Sequence, residues 1–187
     1  MSATLVAGWV STARHVPSPN CEPRPPGVAP ELVVIHNISL PPGEFGGPGI
    51  EQLFTNTLDW DAHPYYQSIR GLRVSAHFLL RRDGELLQFV STEERAWHAG
   101  VSCWQGRDNC NDFSIGIELE GTDTQAYTEA QYAGLKRLIG LLRKHYPGIG
   151  PGDLAGHADV APGRKTDPGP AFDWSRLNPP SAEGELA

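Results

Sequence analysis

The distribution of apolar residues along the chain predicts one deeply buried strand. Residues 31–39, ELVVIHNIS, carry a nearly continuous apolar run, which is typical of a strand covered on both faces. His36 stands near the carboxyl end of this run. We therefore expect the His36 imidazole to lie at the rim of the hydrophobic core.

Strict alternation predicts a second strand over residues 113–120, FSIGIELE. Apolar residues occupy every second position, so one face of this strand is expected to pack against the core. The opposite face then carries Ser114, Gly116, Glu118 and Glu120. Both glutamates fall on the polar face, and the pattern does not choose between them.

Helical spacing is clearest between residues 128 and 146. Thr128 and Gln131 have the spacing of a capping box, which marks the start of a helix. One apolar stripe follows at helical intervals, formed by Tyr132, Leu135, Ile139, Leu142 and Tyr146. Shorter helices are predicted within residues 50–58 and 170–178, and a hairpin that turns at Asp83-Gly84 is predicted within residues 74–90.

These elements together predict the fold class and the domain organisation. Strands and helices are interspersed without strict alternation, which favours an α/β (α+β) fold with a mixed β-sheet flanked by helices. A length of 187 residues suits a single domain over residues 1–187. The polar residues 178–187 are expected to form a disordered tail.

Composition narrows the classes of function. The 15 Lys and Arg are scattered and the formal net charge is -7, so the basic face that nucleic acid requires is not predicted. No stretch is apolar enough to span a bilayer, and the first residues lack the basic start of an export signal. The three cysteines lack the spacing of a metal site or a disulfide framework. We expect a cytoplasmic monomer that binds neither nucleic acid nor membrane.

The richest cluster of chemical groups is the loop GHADVAPGRKTDPG, residues 156–169. A zinc hydrolase needs about three nitrogen or oxygen ligands on rigid elements, with one position left for water. His36 and His157 are candidates, together with Asp159 or Asp167. Each also has an ordinary structural interpretation, since histidines pack in cores and aspartates cap turns.

The same loop and the second predicted strand also contain candidate catalytic residues. Lys165 stands two residues before Asp167, so both side chains are expected to project into one pocket, where an ammonium can stabilise an oxyanion. Glu118 or Glu120 is a candidate general base, and either is equally well explained as a charge on a solvated strand face. His77 and His98 are expected to be packed in the core rather than to act in catalysis.

Five segments of the chain resemble one enzyme family. They are similar to successive blocks of the cytoplasmic anhydromuramyl-peptide amidases within the type 2 N-acetylmuramoyl-L-alanine amidases, over roughly Gly8 to Leu177. The segments are VVIHNISLPPGEFGG, RVSAHFLLRRDGEL, RAWHAGVS, NDFSIGIELEGTDT and GHADVAPGRKTDPGPAFDW. The fold that this resemblance implies is shared with peptidoglycan-recognition proteins.

The resemblance also implies roles for individual residues. One Zn²⁺ per chain is expected on His36, His157 and Asp167, which leaves Asp159 outside the ligand set. Glu118 and Lys165 match the family's catalytic pair. Asn37, Arg73 and Trp97 match residues that line its substrate site. Asn109 departs from the family, where arginine can precede the cysteine, and Arg107 is a possible replacement for that peptide anchor.

The implied reaction is hydrolysis of the amide between 1,6-anhydro-N-acetylmuramic acid and L-alanine of the stem peptide. Its setting would be peptidoglycan recycling, where the enzyme lowers the inducer muropeptides that control beta-lactamase expression. Two alternatives remain open, a non-catalytic muropeptide-binding module and a secreted or phage-type wall lysin. The complete set of ligands and catalytic residues favours an enzyme, and the absence of a recognisable export signal favours small cytosolic muropeptides.

Overall fold

The computed structural model describes residues 3–177. The strands are β1 (Leu5–Val6), β2 (Trp9–Val10), β3 (Arg14–His15), β4 (Cys21–Pro23), β5 (Leu32–Ile38), β6 (Phe78–Leu80), β7 (Leu86–Gln88), β8 (Glu94–Ala96), β9 (Cys103–Trp104), β10 (Arg107–Asp108), β11 (Ser114–Glu120) and β12 (Leu154–Gly156). The α-helices are α1 (Gly49–Phe54), α2 (Pro64–Ser68), α3 (Glu129–His145) and α4 (His157–Val160), and 3₁₀ turns cover Cys110–Asp112 and Trp174–Arg176.

A mixed six-stranded sheet forms the centre of the molecule, in the order β12-β5-β11-β6-β7-β3. The two long strands β5 and β11 run parallel side by side, and the register pairs His36 directly with Glu118. The β6–β7 pair is the antiparallel hairpin expected around Asp83-Gly84. The predicted mixed sheet flanked by helices is therefore confirmed.

Helix α3 covers one face of the sheet. Thr128 Oγ1 accepts a hydrogen bond from Gln131 N at 3.1 Å, and Gln131 Oε1 accepts one from Thr128 N at 3.0 Å, so the predicted capping box is present. The buried stripe of α3 packs on odd-numbered residues of β5 and β11, such as Ile35 and Ile117. The helix thus leaves the even-numbered face of these strands to the rest of the chain.

Two smaller apolar clusters cover the other face and leave a polar strip between them. One cluster joins α1 and α2 to β6 and β7, and the second joins α4 to the amino-terminal part of β5 and to Phe113, which precedes β11. The strip between them carries His36, His98 and Glu118, all buried. Strand β11 is buried along its whole length, so the polar face expected to meet solvent is covered instead.

Two predicted helices are shorter than expected. Helix α1 ends at Phe54 rather than continuing to residue 58, because Asn56 has a positive φ of 59° and its side-chain amide donates to Asn20 Oδ1 at 2.9 Å. The expected terminal helix is a single 3₁₀ turn at Trp174–Arg176. The predicted tail of residues 178–187 lies outside the described residues.

Two further features concern the length of the helices and the state of the cysteines. Within residues 3–177, no helix is long and apolar enough to cross a membrane. Cys21, Cys103 and Cys110 are all free thiols.

A cluster of charged residues ties the hairpin to α1. Arg81 donates to Glu120 Oε1 and to Glu51 Oε1, each at 2.8 Å, and Glu51 also binds Arg14. The Arg14 hydrogen bond is the main reason that the pKa of Glu51 falls to about 2. A carboxylate with a lowered folded-state pKa stabilises the fold above its unfolded pKa, and the stabilisation disappears as the pH falls through the folded pKa.

Replacing Glu51 with Gln should therefore reduce stability in a pH-dependent manner. We expect a loss of about 1 kcal/mol at pH 7, a small value because solvent screens a partly exposed ion pair. The difference from the wild-type protein should shrink from about pH 4.5 towards pH 2. Urea unfolding across this pH range measures the difference in the free energy of unfolding between the two proteins. The more exposed Glu85→Gln is the control, and an equal loss in both variants would contradict the assignment.

Candidate active site

A cavity of about 410 Å³ opens at the carboxyl ends of β5 and β11. Its lining includes the candidate ligands and both candidate catalytic residues from the sequence, namely His36, Glu118, His157, Lys165 and Asp167. The carboxyl ends of parallel strands are a usual location for ligand sites in α/β folds. The topology thus brings together groups that are far apart along the chain.

Three ligand atoms converge at one point in this cavity. His36 Nδ1 lies 3.0 Å from His157 Nδ1, and each of these nitrogens lies 3.1 Å from Asp167 Oδ2. Among the described residues, these three form a group whose donor atoms lie close enough together to hold one metal ion. Two imidazole nitrogens and one carboxylate oxygen are a donor set that suits Zn²⁺ and related transition metals.

The outward-facing nitrogen of His157 supports this assignment. His157 Nε2 lies 3.2 Å from the carbonyl oxygen of Ala99, which can only accept a hydrogen bond. When Nε2 donates to this carbonyl, Nδ1 keeps its lone pair and faces His36 and Asp167. This is the tautomer that a metal ligand requires.

The electrostatic environment sets the protonation states of His36 and Asp167. Burial lowers the pKa of His36 to about 4, so this ring is neutral at pH 7. Burial alone would raise the pKa of Asp167, but its contacts with His157 and His36 outweigh this effect and hold the pKa well below its usual range. A neutral His36 and an ionised Asp167 therefore face the His157 ring across about 3 Å.

Glu118 lies beside these ligands with an unsatisfied oxygen. Its Oε2 atom is buried and has no hydrogen-bond partner within the described part of the chain. Burial and, secondarily, the negative charge of Asp167 raise the pKa of Glu118 well above its ordinary value, whereas Lys165 opposes the shift. A buried carboxyl with a raised pKa at a cavity wall is typical of a proton-transfer group.

The structure also separates the alternatives that the sequence left open. Glu120 is bound by Arg81 and accepts a hydrogen bond from Gly46 N at 2.7 Å, and it does not line the cavity. Asp159 accepts a hydrogen bond from Gly156 N at 2.7 Å and caps α4. Both carboxylates therefore have structural roles, which favours Glu118 as the base and Asp167 as the ligand.

A family model described as N-acetylmuramoyl-L-alanine amidase (Amidase_2) matches residues 26–170. The chain belongs to this amidase family. The matched segment contains all five candidate metal and catalytic residues.

Individual amidases are similar to this chain over almost its whole length. The 1,6-anhydro-N-acetylmuramyl-L-alanine amidase AmpD of Citrobacter freundii is 59% identical over 185 residues, which cover 97% of this chain and 98% of the relative. The crystal structure of a Se-Met AmpD derivative has a TM-score of 0.91 at 60% identity, and covers 93% of this chain and 97% of that chain. The fold expected from the family resemblance is therefore confirmed.

A more distant amidase structure contains a muropeptide. AmpDh3 from Pseudomonas aeruginosa, in complex with anhydromuramic pentapeptide, has a TM-score of 0.60 at 28% identity. The match covers 86% of this chain and 64% of that chain. A relative with the amidase fold thus binds an anhydromuramyl peptide.

The three candidate substrate-binding residues differ in their position relative to the cavity. Asn37 and Trp97 line the cavity, and the Asn37 amide donates to Asp123 Oδ1 at 2.7 Å and to the carbonyl oxygen of Pro168 at 3.1 Å. Arg73 is exposed and lies outside the cavity lining, although its neighbours Leu72 and Val74 belong to it. The binding roles of these residues remain predictions.

Arg107 is directed away from the amidase cavity. Its guanidinium binds Glu31 at 2.8 Å and stacks over the Phe113 ring at 3.9 Å from the ring centre. Asn109 is likewise outside the cavity lining. Arg107 is engaged with Glu31 and Phe113, and its role as a peptide anchor stays a prediction.

Sequence reasoning missed one residue of the amidase site. His98 was expected to be packed in the core, and it is buried, but its Nδ1 also lies 2.9 Å from His36 Nε2 and its ring lines the cavity. His77 is the fully buried neighbour that does behave as a packed residue, since its nitrogens contact Gly116 N and the carbonyl oxygen of Glu94. The spacing of His98 along the chain gave no indication of its contact with His36.

Proposed function

We propose that this chain, acting as one domain, is a zinc-dependent amidase that cleaves anhydromuramyl peptides in the cytosol. The observation that carries the proposal is the convergence of His36, His157 and Asp167 within about 3 Å, beside Glu118 and Lys165. The bond cleaved is the amide between 1,6-anhydro-N-acetylmuramic acid and L-alanine. Similarity to the C. freundii enzyme over nearly the full chain supports this substrate class.

The two imidazoles and the carboxylate would hold one Zn²⁺. When bound in such a site, Zn²⁺ supplies Lewis-acid chemistry that polarises a carbonyl group and acidifies water. The three protein donors match the number usual for catalytic zinc sites, which keep one position for a further ligand. Neutral His36 and ionised Asp167 are in the protonation states that this role requires.

Glu118 would act as the general base and then as the general acid. In hydrolysis, the water oxygen bonds to the lactyl carbonyl carbon while Glu118 accepts the water proton. The carbon–nitrogen bond then breaks, and Glu118 returns the proton to the departing amine of L-alanine. Its position opposite His36 in the parallel register places the carboxyl at the wall of the same cavity.

Lys165 would stabilise the negative charge that develops on the carbonyl oxygen. A preorganised cation beside a developing oxyanion lowers the barrier more effectively than water does. Lys165 lines the cavity together with Asp167, two residues later. Asn37, Trp97 and Arg73 would bind the sugar and the stem peptide, and removal of such peptides would fit a role in recycling wall fragments.

The substrate assignment predicts a defined product pattern. A synthetic anhydromuramyl peptide should yield anhydro-N-acetylmuramic acid and a peptide with a free L-alanine amine, which mass spectrometry resolves. We expect kcat/KM to exceed that for the matched reducing-end muramyl peptide by at least about tenfold, which corresponds to about 1.4 kcal/mol of transition-state stabilisation.

Two other outcomes would overturn this assignment. Cleavage of purified sacculi with equal or greater kcat/KM would identify a wall lysin. Binding of the anhydromuramyl peptide without turnover in the zinc-loaded protein would identify a recognition module.

A further inference from the structure

A buried chain of hydrogen bonds connects the outer nitrogen of His36 to the protein backbone. His36 Nε2 lies 2.9 Å from His98 Nδ1, and His98 Nε2 lies 3.2 Å from Ser114 Oγ. Ser114 Oγ in turn lies 2.5 Å from the carbonyl oxygen of Cys110. We infer that this chain makes His98 a positioning residue, which fixes the tautomer of His36 for metal binding. The inference rests on the proposed function.

The direction of the three hydrogen bonds follows from their last acceptor. A backbone carbonyl cannot donate, so the Ser114 hydroxyl must donate to Cys110 and accept from His98 Nε2. In a neutral His98 ring only one nitrogen carries a proton, and the contact with Ser114 places that proton on Nε2. With that proton on Nε2, His98 Nδ1 can only accept, and His36 Nε2 must donate to it.

The consequence for His36 is a single protonation pattern. A neutral imidazole that carries its proton on Nε2 presents a lone pair on Nδ1. His36 Nδ1 is the atom that faces His157 and Asp167. The Cys110 carbonyl thus determines, through the side chains of Ser114 and His98, which nitrogen of His36 is available to a metal ion.

The surroundings hold the His98 ring in place for this contact. A Cβ atom on Gly116 would lie 2.4 Å from His98 Cγ, so only glycine at this position of β11 leaves room for the ring. Asn111 Oδ1 accepts hydrogen bonds from the backbone nitrogens of His98 at 3.2 Å and Ala99 at 2.8 Å. Both contacts restrict the position of His98 relative to the sheet.

Consecutive residues therefore serve the two candidate histidine ligands. His98 accepts from His36 through its ring, and Ala99 accepts from His157 through its carbonyl group. Hydrogen bonds of this kind orient metal-binding imidazoles and raise their basicity, and their loss typically lowers metal affinity about 10- to 100-fold. The segment that holds His98 and Ala99 is thus assigned a role in metal affinity, in addition to its place in the core.

Zinc affinity of substituted proteins tests the inference without relying on activity. His98→Phe keeps an aromatic ring but removes both nitrogens, and we expect its zinc dissociation constant, measured by chelator competition, to rise about 10- to 100-fold. His98→Gln has an amide oxygen that can accept from His36 and an amide nitrogen that can donate to Ser114. It should therefore recover most of the affinity. Ser114→Ala, which leaves His98 in place, should show a smaller loss.

His77→Phe is the matched control for destabilisation. His77 is as buried as His98, and their ring centres lie 5.8 Å apart, but His77 bonds to Gly116 and Glu94 rather than to His36. We expect this variant to lose stability while its zinc dissociation constant stays near the wild-type value. In addition, ¹⁵N NMR of the zinc-loaded wild-type protein should show His36 protonated on Nε2.

The outcomes separate this inference from the proposed function. Failure of the wild-type protein to bind zinc would overturn the proposed function. Wild-type affinity in His98→Phe, an equal loss in His77→Phe, or a His36 ring protonated on Nδ1 would overturn the positioning role of His98 alone.

Discussion

Replacement of Asp167 with Ala is expected to abolish zinc binding and amidase activity together. The Asp167 carboxylate contributes the only formal negative charge among the three converging donors, and each histidine nitrogen lies 3.1 Å from it. Its removal leaves two imidazoles, which hold a divalent cation much less strongly without the carboxylate. The loss of Lewis-acid stabilisation should lower kcat/KM by more than about 1,000-fold.

Asp159→Ala is the matched control, because it removes the same type of side chain from the same segment. Asp159 bonds to Gly156 N and caps α4, so its loss should cost about 1 kcal/mol of stability and leave the zinc content unchanged. Elemental analysis and kcat/KM are measured on both proteins. A zinc-containing Asp167→Ala protein, or a zinc-free Asp159→Ala protein, would contradict the proposed ligand set.

Replacement of Glu118 with Gln is expected to lower kcat by about 100- to 10,000-fold, the usual contribution of a general acid–base group. Gln keeps the shape of the side chain but cannot accept the proton of water. Zinc content should remain at the wild-type value, because Glu118 is not among the converging donors. Burial already disfavours the ionised carboxyl, so the substitution should not reduce the stability of the metal-free protein.

Glu120→Gln separates catalysis from the effect of removing a buried charge. Glu120 stands on the same face of β11, but it binds Arg81 at 2.8 Å and lies outside the cavity. Breaking this buried ion pair should lower the midpoint of thermal unfolding, while kcat at saturating substrate changes little. A larger fall in kcat for Glu120→Gln than for Glu118→Gln would reverse the assignment of the base.

The elements that sequence patterns predicted well are those with strong local signals. The apolar run of β5, the capping box of α3 and the Asp-Gly turn of the β6–β7 hairpin depend on residues near each other in the chain. The extent of α1 depended instead on the distant contact between Asn56 and Asn20, which no local pattern contains. Strands of two or three residues, such as β9 and β12, are also too short for periodicity to reveal.

The sequence likewise predicted some residues of the candidate site and missed others. Residue types and spacing identified the loop after β12 as rich in chemical groups, and family resemblance selected Asp167 over Asp159. Periodicity placed Glu118 and Glu120 on one face, and their surroundings distinguish them, because Arg81 binds Glu120 whereas Glu118 lines the cavity. His98 was missed because its contact with His36 joins residues 62 positions apart.

The position of β12 has a consequence for how the site opens. This three-residue strand lies at the edge of the sheet, pairs with β5 alone among the described strands, and leads directly into His157. Elements with few contacts are the first to open in local unfolding. A cation bound by both His36 and His157 would hold β12 against the central strand β5. Release of the ion and separation of β12 from the sheet would therefore occur together.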